Sequence, residues 1–234
     1  MSTFAAVLAT ELRRDPGRPL VTFYDHATGE LVELSVTTYA NWVAKAASLL
    51  VEEADVQRGQ RLRIDLPPHW LGTVFVGAAL TVGAIVTDRE DADVVVCGPA
   101  TVEHWAEVAH GRPVLACSLL PLGVRFAGPL PPGVLDVGVE VWSQPDAFTP
   151  WDPPAADDLA TDERTHADVM KAAAAGTSHT GGGRLLSASN PASPPEIDTF
   201  TEPLSDGGSL VLVRNPDPAR LDDLAEVERV TRRT

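Results

Sequence analysis

Hydrophobic residues recur at helical spacing in two stretches near the N-terminus. In the first, Ser2 to Arg14, the apolar side chains share one stripe, and Ser2 occupies the N-cap position. In the second, Ser35 is the expected N-cap, and one face carries the apolar residues Tyr39, Trp42, Val43, Ala46 and Leu50. The pattern predicts two amphipathic helices. We expect Trp42 to be mostly buried on the inward face of the second helix.

Two short β-type runs, Leu20 to Tyr24 and Leu31 to Leu34, lie between these helices. The turn-forming residues Asp25 to Gly29 join them, which predicts a hairpin. We expect this hairpin to stand apart from the main sheet.

Beyond Gly59 the pattern changes to nearly continuous apolar runs that alternate with helical segments. The predicted strands are Leu62–Leu66, Ala84–Thr87, Asp93–Cys97, Pro113–Ser118, Arg184–Ser187 and Ser209–Arg214. The predicted helices are Pro68–Val82, Val102–His110, Thr165–Ala175 and Pro218–Arg232, with a proline-interrupted segment up to Leu204. Strands that are apolar throughout are typical of parallel sheets covered on both faces, so the predicted fold class is α/β with a mostly parallel sheet flanked by helices.

The domain organisation follows from a change of composition. Residues 119–154 contain eight prolines and four glycines with little periodicity, which predicts a long surface connection. It separates a first α/β unit at 1–118, which includes the hairpin, from a second unit at 155–234 that packs on the first. The chain forms either these two units or one compact domain.

Composition and charge exclude several classes of function. The formal net charge is -15, which argues against a surface that binds nucleic acid. Met1 to Pro16 lacks the pattern of a signal peptide, and the longest apolar run, Leu71 to Val86, is shorter than the roughly 20 residues of a membrane span. The cysteines, Cys97 and Cys117, lie in apolar runs, as in a reduced protein. These features predict a cytoplasmic protein without a membrane partner.

The segment Gly176 to Arg184 is rich in glycine and hydroxyl groups, the composition of loops that bind phosphate. Its weak candidates for cofactor binding are Thr177, Ser178, Thr180 and Arg184. A phosphate loop follows a strand and opens a helix, whereas this segment follows a helix and precedes a strand. A flexible connection is therefore the favoured interpretation. The sequence nominates no catalytic residue and no metal ligand, since the pair His104 and Glu107 fits a solvated helix face better.

Several motifs together resemble the N-terminal region of the adenylate-forming enzymes, which are the acyl-CoA synthetases, luciferases and peptide-synthetase adenylation domains. The resemblance covers Leu20 to Cys97. It rests on the Tyr39–Leu50 helix, the strand entry Val56–Leu62, Leu66–Pro68 and the alanine-rich helix ending in Gly83–Ala84. Farther along, Thr165–Val169 is similar to the Thr-His-x-Asn-Leu helix start of that family. The resemblance implies the N-terminal part of the acetyl-CoA synthetase-like fold.

The chain departs from the family where the phosphate loop belongs. The glycine-rich loop that should directly precede Thr165 is replaced by Asp158–Arg164, which contains no glycine. The later Tyr-Gly-x-Thr-Glu motif and the C-terminal domain are also absent from these 234 residues. The chain is similar to short actinobacterial relatives of AMP-binding enzymes, a truncated form whose function the resemblance does not supply.

These observations favour a pseudoenzyme, a non-catalytic domain that binds an unknown small molecule or protein and requires no cofactor. The alternatives are an acyl-adenylating or repurposed enzyme that uses the same pocket, and a purely structural role. We also expect a homodimer, with Asp217–Thr234 or the sheet edge near Ser209–Arg214 in its interface.

Overall fold

The computed structural model describes residues 3–176 and 181–234 of the chain. Its helices are α1 (Phe4–Arg14), α2 (Val36–Glu52), α3 (Trp70–Val82), α4 (Val102–Val108), α5 (Val137–Glu140), α6 (His166–Ala175), α7 (Asp198–Ser205) and α8 (Leu221–Val227). Several begin at side-chain caps, among them α2, where the Ser35 hydroxyl accepts a hydrogen bond from the Thr38 amide at 3.1 Å. At the start of α6, Thr165 and Asp168 form a reciprocal capping box.

The strands are β1 (Pro19–Asp25), β2 (Leu31–Ser35), β3 (Arg61–Asp65), β4 (Ile85–Thr87), β5 (Val94–Cys97), β6 (Val114–Ala116), β7 (Val134–Asp136), β8 (Arg184–Ser187), β9 (Ser209–Arg214) and β10 (Arg232–Arg233). Within the described residues they form two five-stranded sheets. Sheet A has the order β10-β8-β9-β1-β2, and sheet B has the order β4-β3-β5-β6-β7. The strand pairs are parallel except for the β1–β2 hairpin. The predicted α/β class is therefore confirmed.

Two predictions about the sheets are wrong. The predicted strands do not share one sheet, because β3 to β6 belong to sheet B whereas β8 and β9 belong to sheet A. The hairpin does not stand apart, because β1 pairs in parallel with β9, with Val21 opposite Leu210. That pairing also places β9 in the interior of sheet A, so Ser209–Arg214 offers no free sheet edge to a second copy.

The core lies between the two sheets and is centred on α2 and α3. Apolar side chains from both sheets and from these helices belong to one buried cluster. Tyr39 of α2 is fully buried and its hydroxyl donates to the Thr73 carbonyl of α3 at 2.8 Å. Gly77 lets the two helices approach closely, because a Cβ there would lie 2.8 Å from Val43 Cγ2.

Two local expectations differ from the structure. Residues 119–154 are not only a surface connection, because β7 extends sheet B beside β6 and α5 follows it. The proline-interrupted segment contains the helix α7, which accommodates Pro203 near its end. As expected, Trp42 packs on the buried core, with its ring 5.0 Å from that of Trp70 and 5.6 Å from that of Trp142. Trp142 is itself 54% exposed.

Across residues 3–176 and 181–234, none of the helices combines the length and the apolar composition needed to cross a membrane.

Candidate functional site

The candidate site lies where the strand order of sheet B changes direction. From β3 the chain moves to β4 on one side, and then to β5, β6 and β7 on the other side. In open parallel sheets, ligands bind outside the carboxyl ends of the strands at such a switch point, because the loops diverge there and leave a crevice. The switch point of this chain lies between the ends of β3 and β5.

A crevice of about 570 Å³ opens at this position, a volume within the range of small-molecule sites. It will be called the switch-point crevice, and it is lined by Asp65, Leu66, Pro67, Gly98, Pro99, Ala100, Thr101, Ser118, Leu119 and Arg214. Asp65 ends β3, Gly98 follows β5, and Ser118 lies two residues beyond β6. Arg214 ends β9, so sheet A supplies one wall of a crevice built mainly by sheet B.

The carboxylate of Asp65 is already engaged by groups of the protein. Its Oδ2 accepts a hydrogen bond from the Trp105 indole nitrogen at 2.7 Å. Its Oδ1 lies 3.6 Å from a guanidinium nitrogen of Arg63, and that guanidinium lies 5.1 Å from the centre of the Trp105 ring. Asp65 therefore serves to hold Trp105 and Arg63 beside the crevice.

Arg214 is held loosely by comparison. Its Nε lies 4.0 Å from Asp25 Oδ2, at the limit of an ion pair, and the side chain is 30% exposed. Asp25 instead accepts hydrogen bonds at 2.9 Å from the Ala27 amide and from the Asn215 side chain. Burial alone would raise the pKa of Asp25, but these hydrogen bonds and the Arg214 charge together lower it. Asp25 therefore stays ionised without being a close partner of Arg214.

Buried polar atoms without partners lie in and behind the crevice wall. Within the described part of the chain, neither Thr101 Oγ1 nor His69 Nε2 makes a hydrogen bond. His69 Nδ1 accepts from the Leu71 amide at 3.2 Å, and its ring lies 4.7 Å from that of Phe23. Burial, followed by the positive charge of Arg214, lowers the pKa of His69 to about 3. The imidazole is therefore neutral at pH 7.

The segment Asp158–Arg164, which replaces the expected phosphate loop, folds as a closed turn. The amides of Ala160 and Thr161 donate to the Arg164 carbonyl at 2.8 and 3.1 Å, and the Arg164 amide donates back to Thr161. The Val86 amide of β4 donates to the Ala160 carbonyl at 2.9 Å, so the turn covers the edge of sheet B. The backbone amides of Ala160, Thr161 and Arg164 are thus used by carbonyls of the turn itself.

Ion pairs anchor the same turn at both ends and in its middle. Asp158 Oδ2 lies 2.7 Å from Arg58, and Asp162 Oδ1 lies 2.8 Å from Arg61. Arg164 forms a two-pronged pair with Asp198 of α7, at 2.8 and 2.9 Å. Each of these guanidinium groups is neutralised by a carboxylate of the protein. The turn therefore offers little unpaired positive charge to a triphosphate.

The weak candidates for phosphate binding have different outcomes. Thr177, Ser178 and Thr180 lie outside the described residues. Arg184 begins β8, where it lies opposite Ser209, the first residue of β9. Arg214 is the last residue of β9, so the structure places Arg184 at the opposite end of sheet A from the switch-point crevice.

Arg184 is part of an ion-pair network on sheet A. It lies 2.6 Å from Glu228 and 3.6 Å from Glu33, and it also donates to the Thr22 hydroxyl. Tyr24 donates a hydrogen bond to the same Glu228. Burial, and then Glu228, raise the pKa of Tyr24 above its usual range. Arg184 thus links β8 to β1, β2 and the end of α8. Its role in this network is to stabilise the fold.

No group of three or more His, Cys, Asp or Glu side chains placed to hold a metal ion occurs among the described residues. The cysteines Cys97 and Cys117 are buried free thiols, and burial raises the pKa of both.

Comparison with known proteins identifies the family. The chain matches no protein-family model. A protein of Mycobacterium tuberculosis, described as a TIGR03089 family protein, is 36% identical to it over 239 residues, covering 97% of this chain and 96% of that protein. The chain belongs to the TIGR03089 family.

Solved structures show which fold this TIGR03089 family member has. An acyl-CoA synthetase of Brucella canis superposes with a TM-score of 0.75 at 17% identity, covering 97% of this chain and 46% of that one. The N-terminal domain of FACL13 from Mycobacterium tuberculosis gives 0.74 at 16%, covering 98% and 62%. Coronafacic acid ligase of Pectobacterium brasiliense gives 0.72 at 13%, covering 96% and 47%. The chain spans about half of the synthetase and ligase chains, and the fold implied by the sequence resemblance is confirmed.

Sequence reasoning missed the residues of the switch-point crevice. A signal was available, because Asp65, Ser118 and Arg214 stand at the carboxyl ends of predicted strands, where parallel sheets bind ligands. The sequence did not reveal that β3 and β5 are neighbours, nor that β9 of the other sheet ends against them.

Proposed function

We propose that this TIGR03089 family protein is a non-catalytic domain of the adenylate-forming fold that acts by binding a small ligand or a protein partner. The observation that carries the proposal is the closed turn Asp158–Arg164 at the position of the phosphate loop. Within it, the amides of Ala160, Thr161 and Arg164 donate to carbonyls of the turn. The Glu163 amide donates to the Thr161 hydroxyl, and Arg164 is paired with Asp198.

Adenylation depends on electrostatic stabilisation of the triphosphate and of the departing pyrophosphate. A phosphate loop provides this with backbone amides that converge on one anion, a conformation that glycine makes accessible. The closed turn contains no glycine, and Glu163 brings negative charge to a chain whose net charge is already -15. These features support the proposal that the domain does not bind the triphosphate of ATP.

The switch-point crevice supports ligand binding as the remaining activity. Its volume suits a small molecule, and apolar walls such as Leu66, Pro67 and Leu119 alternate with the polar groups of Thr101 and Arg214. Filling such a crevice would connect the loops of sheet B to the end of sheet A. A bound ligand should therefore raise the stability of the whole domain.

The test of the proposal combines turnover and binding. Pyrophosphate exchange with a panel of fatty, aromatic and amino acids should give no turnover in the wild type. Turnover that disappears in Ser178→Ala would overturn the proposal, because it would identify an acyl-adenylating enzyme with a replacement phosphate site. Arg184→Ala is a second probe of that site, and it requires a circular dichroism spectrum beside it because Arg184 holds part of sheet A together.

Thermal-shift measurements with ATP, AMP, CoA and acyl-CoA at millimolar concentration complete the test. A ligand at 100 times its dissociation constant stabilises by about 2.7 kcal/mol. Ala100→Trp should remove the stabilisation by filling the crevice, whereas Ala127→Trp on an exposed loop serves as the matched control. Stabilisation that survives Ala100→Trp would locate the ligand elsewhere.

Two further aspects of the proposal rest on the same domain. The buried free thiols of Cys97 and Cys117 support a cytoplasmic location. A homodimer remains proposed, now through the outer strand β10 within Asp217–Thr234. Light scattering at micromolar concentration tests it, and a monomer at high concentration would contradict it.

A further inference from the structure

We propose that Arg214 is the specificity-determining residue of the switch-point crevice, and that the crevice takes a small organic anion with an apolar body. This inference rests on the proposed ligand-binding function and names the class of ligand. The anionic group would pair with the Arg214 guanidinium, and the apolar part would lie between the loops that follow β3, β5 and β6.

The first argument is the unused hydrogen-bonding capacity of Arg214. Within the described residues, its terminal nitrogens make no hydrogen bond to the protein, and the Asp25 carboxylate lies 4.0 Å from Nε. In contrast, Arg58, Arg61 and Arg164 each lie within 2.8 Å of a carboxylate. In a chain with 33 acidic residues, an arginine at a cavity wall whose nearest carboxylate lies only at the limit of an ion pair keeps N–H groups available for an anion.

The second argument is that the charged groups near Arg214 do not fill this capacity. Asp65 is engaged by the Trp105 indole at 2.7 Å and lies 3.6 Å from Arg63. Asp25 is engaged by Asn215 and by the Ala27 amide. His69, close enough to feel the charge of Arg214, is buried and neutral. Glu30 does not line the crevice; burial and the charge of Asp25 raise its pKa, and Arg214 acts to lower it. A cation in the crevice would find the Asp65 carboxylate already occupied, whereas an anion would find guanidinium N–H groups that are paired with Asp25 only at 4.0 Å.

The remaining walls define the rest of the ligand. Leu66, Pro67, Pro99 and Leu119 present apolar surface to the crevice. Thr101 Oγ1 is buried in the wall without a partner, so a polar atom of the ligand can reach it only after the Thr101 side chain rotates. At about 570 Å³ the crevice holds a molecule considerably larger than an inorganic ion. The walls therefore select an amphipathic molecule.

Carboxylates and phosphates both form two-pronged pairs with a guanidinium, so the experiment separates these two sources of negative charge. The probes are benzoate, phenyl phosphate and neutral benzyl alcohol, titrated into the ¹⁵N-labelled full chain. The readouts are the side-chain Nε–H signal of Arg214 and the backbone amides of Gly98 and Thr101. We expect at least one anionic probe to shift all three signals, and to bind about tenfold or more tightly than benzyl alcohol.

Variants then test the role of Arg214 itself. Arg214→Gln should weaken the anionic probe by about tenfold and leave benzyl alcohol unchanged, and Arg214→Lys should retain part of the preference because it keeps the charge. Arg13→Gln, on the exposed face of α1, is the matched control and should change nothing. Circular dichroism of each variant separates loss of binding from loss of folding.

The outcomes distinguish this inference from the proposed function. Equal binding of anionic and neutral probes, unchanged in Arg214→Gln, overturns the anion preference and leaves ligand binding in the crevice standing. No shift with any probe also overturns the anion inference, whereas the non-catalytic proposal is decided separately by pyrophosphate exchange. A shift with phenyl phosphate but not benzoate identifies a phosphate as the recognised group, and the reverse result identifies a carboxylate.

Discussion

The close approach of α2 and α3 at Gly77 allows a quantitative test of the packing. In Gly77→Ala the added Cβ would meet the Tyr39 hydroxyl first, and would lie 2.8 Å from Val43 Cγ2 and 3.0 Å from Phe4 Cζ. Tyr39 and Phe4 are fully buried and Val43 nearly so, which leaves these side chains no free space into which to move. The methyl group must therefore push the helices apart or displace the tyrosine.

Two contributions lower the free energy of unfolding of Gly77→Ala, and a third raises it. Overpacking of a dense core costs about 1–3 kcal/mol. Displacing the Tyr39 hydroxyl from the Thr73 carbonyl, 2.8 Å away, leaves a buried donor unpaired at about 1–3 kcal/mol. The higher helix propensity of alanine stabilises the folded state by about 1 kcal/mol. The net expectation is a loss of roughly 2–4 kcal/mol in the free energy of unfolding, or about 5–15 °C in Tm for a chain of this size.

Urea unfolding followed by tryptophan fluorescence and circular dichroism measures this loss. Gly72→Ala is the matched control, because it lies in the same helix and its Cβ would lie 3.3 Å from Ala192 Cβ. Its expected effect is within about 1 kcal/mol of zero, since the gain in helix propensity offsets the tighter contact. In a Tyr39→Phe background, Gly77→Ala should cost less, because the oxygen that the methyl group meets first is gone. Equal stability of Gly77→Ala and Gly72→Ala would refute the reasoning.

Three further predictions concern other parts of the chain. Trp42→Ala should lower the free energy of unfolding by about 2–3 kcal/mol in urea melts. This is less than the roughly 3–5 kcal/mol of a fully buried tryptophan, because the ring is only partly buried against Trp70 and Trp142. A loss below about 1 kcal/mol would mean that these ring contacts contribute no stability. His69 has a pKa of about 3 when folded and about 6.5 when unfolded, so the unfolded chain binds more protons as the pH falls between these values. Stability should therefore decline on acidification through this window, and His69→Asn should flatten the decline by about 1.4 kcal/mol per pH unit; an unchanged slope would contradict the burial of a neutral imidazole. Arg184→Ala should lower the free energy of unfolding by about 1–3 kcal/mol, because it removes the guanidinium that lies 2.6 Å from Glu228. A urea midpoint equal to that of the wild type would show that the network contributes no stability.

Much of the fold could be predicted because local patterns carry it. The capping residues Ser35 and Thr165 mark helix starts that the structure contains. The continuous apolar runs correctly indicated strands buried on both faces, as in β5, where all four residues are buried. The helix α7 was missed because Pro203 interrupts the pattern, and the structure places Pro203 inside the helix with the loss of one backbone hydrogen-bond donor.

The candidate site was less predictable because it is made by contacts between distant segments. The weak candidates drawn from Gly176–Arg184 were chosen for composition. Arg184, however, is ion-paired with Glu228 at the end of sheet A opposite to the crevice. The crevice residues carry no motif. Arg214 resembles other arginines in the sequence, and what distinguishes it is its place at the end of β9, at the wall of the switch-point crevice.

By itself the sequence determined most of the elements, their type, and the absence of a glycine-rich loop before Thr165, because each of these depends on residues that are close along the chain. The tertiary structure alone decided which strands are neighbours. Val21 of β1 pairs with Leu210 of β9, almost the whole chain away, and this pairing creates sheet A and positions Arg214. An apolar run specifies that a strand is buried but not which strand lies beside it, since that choice depends on how both faces of the sheet pack. The switch-point crevice exists only as a consequence of that choice.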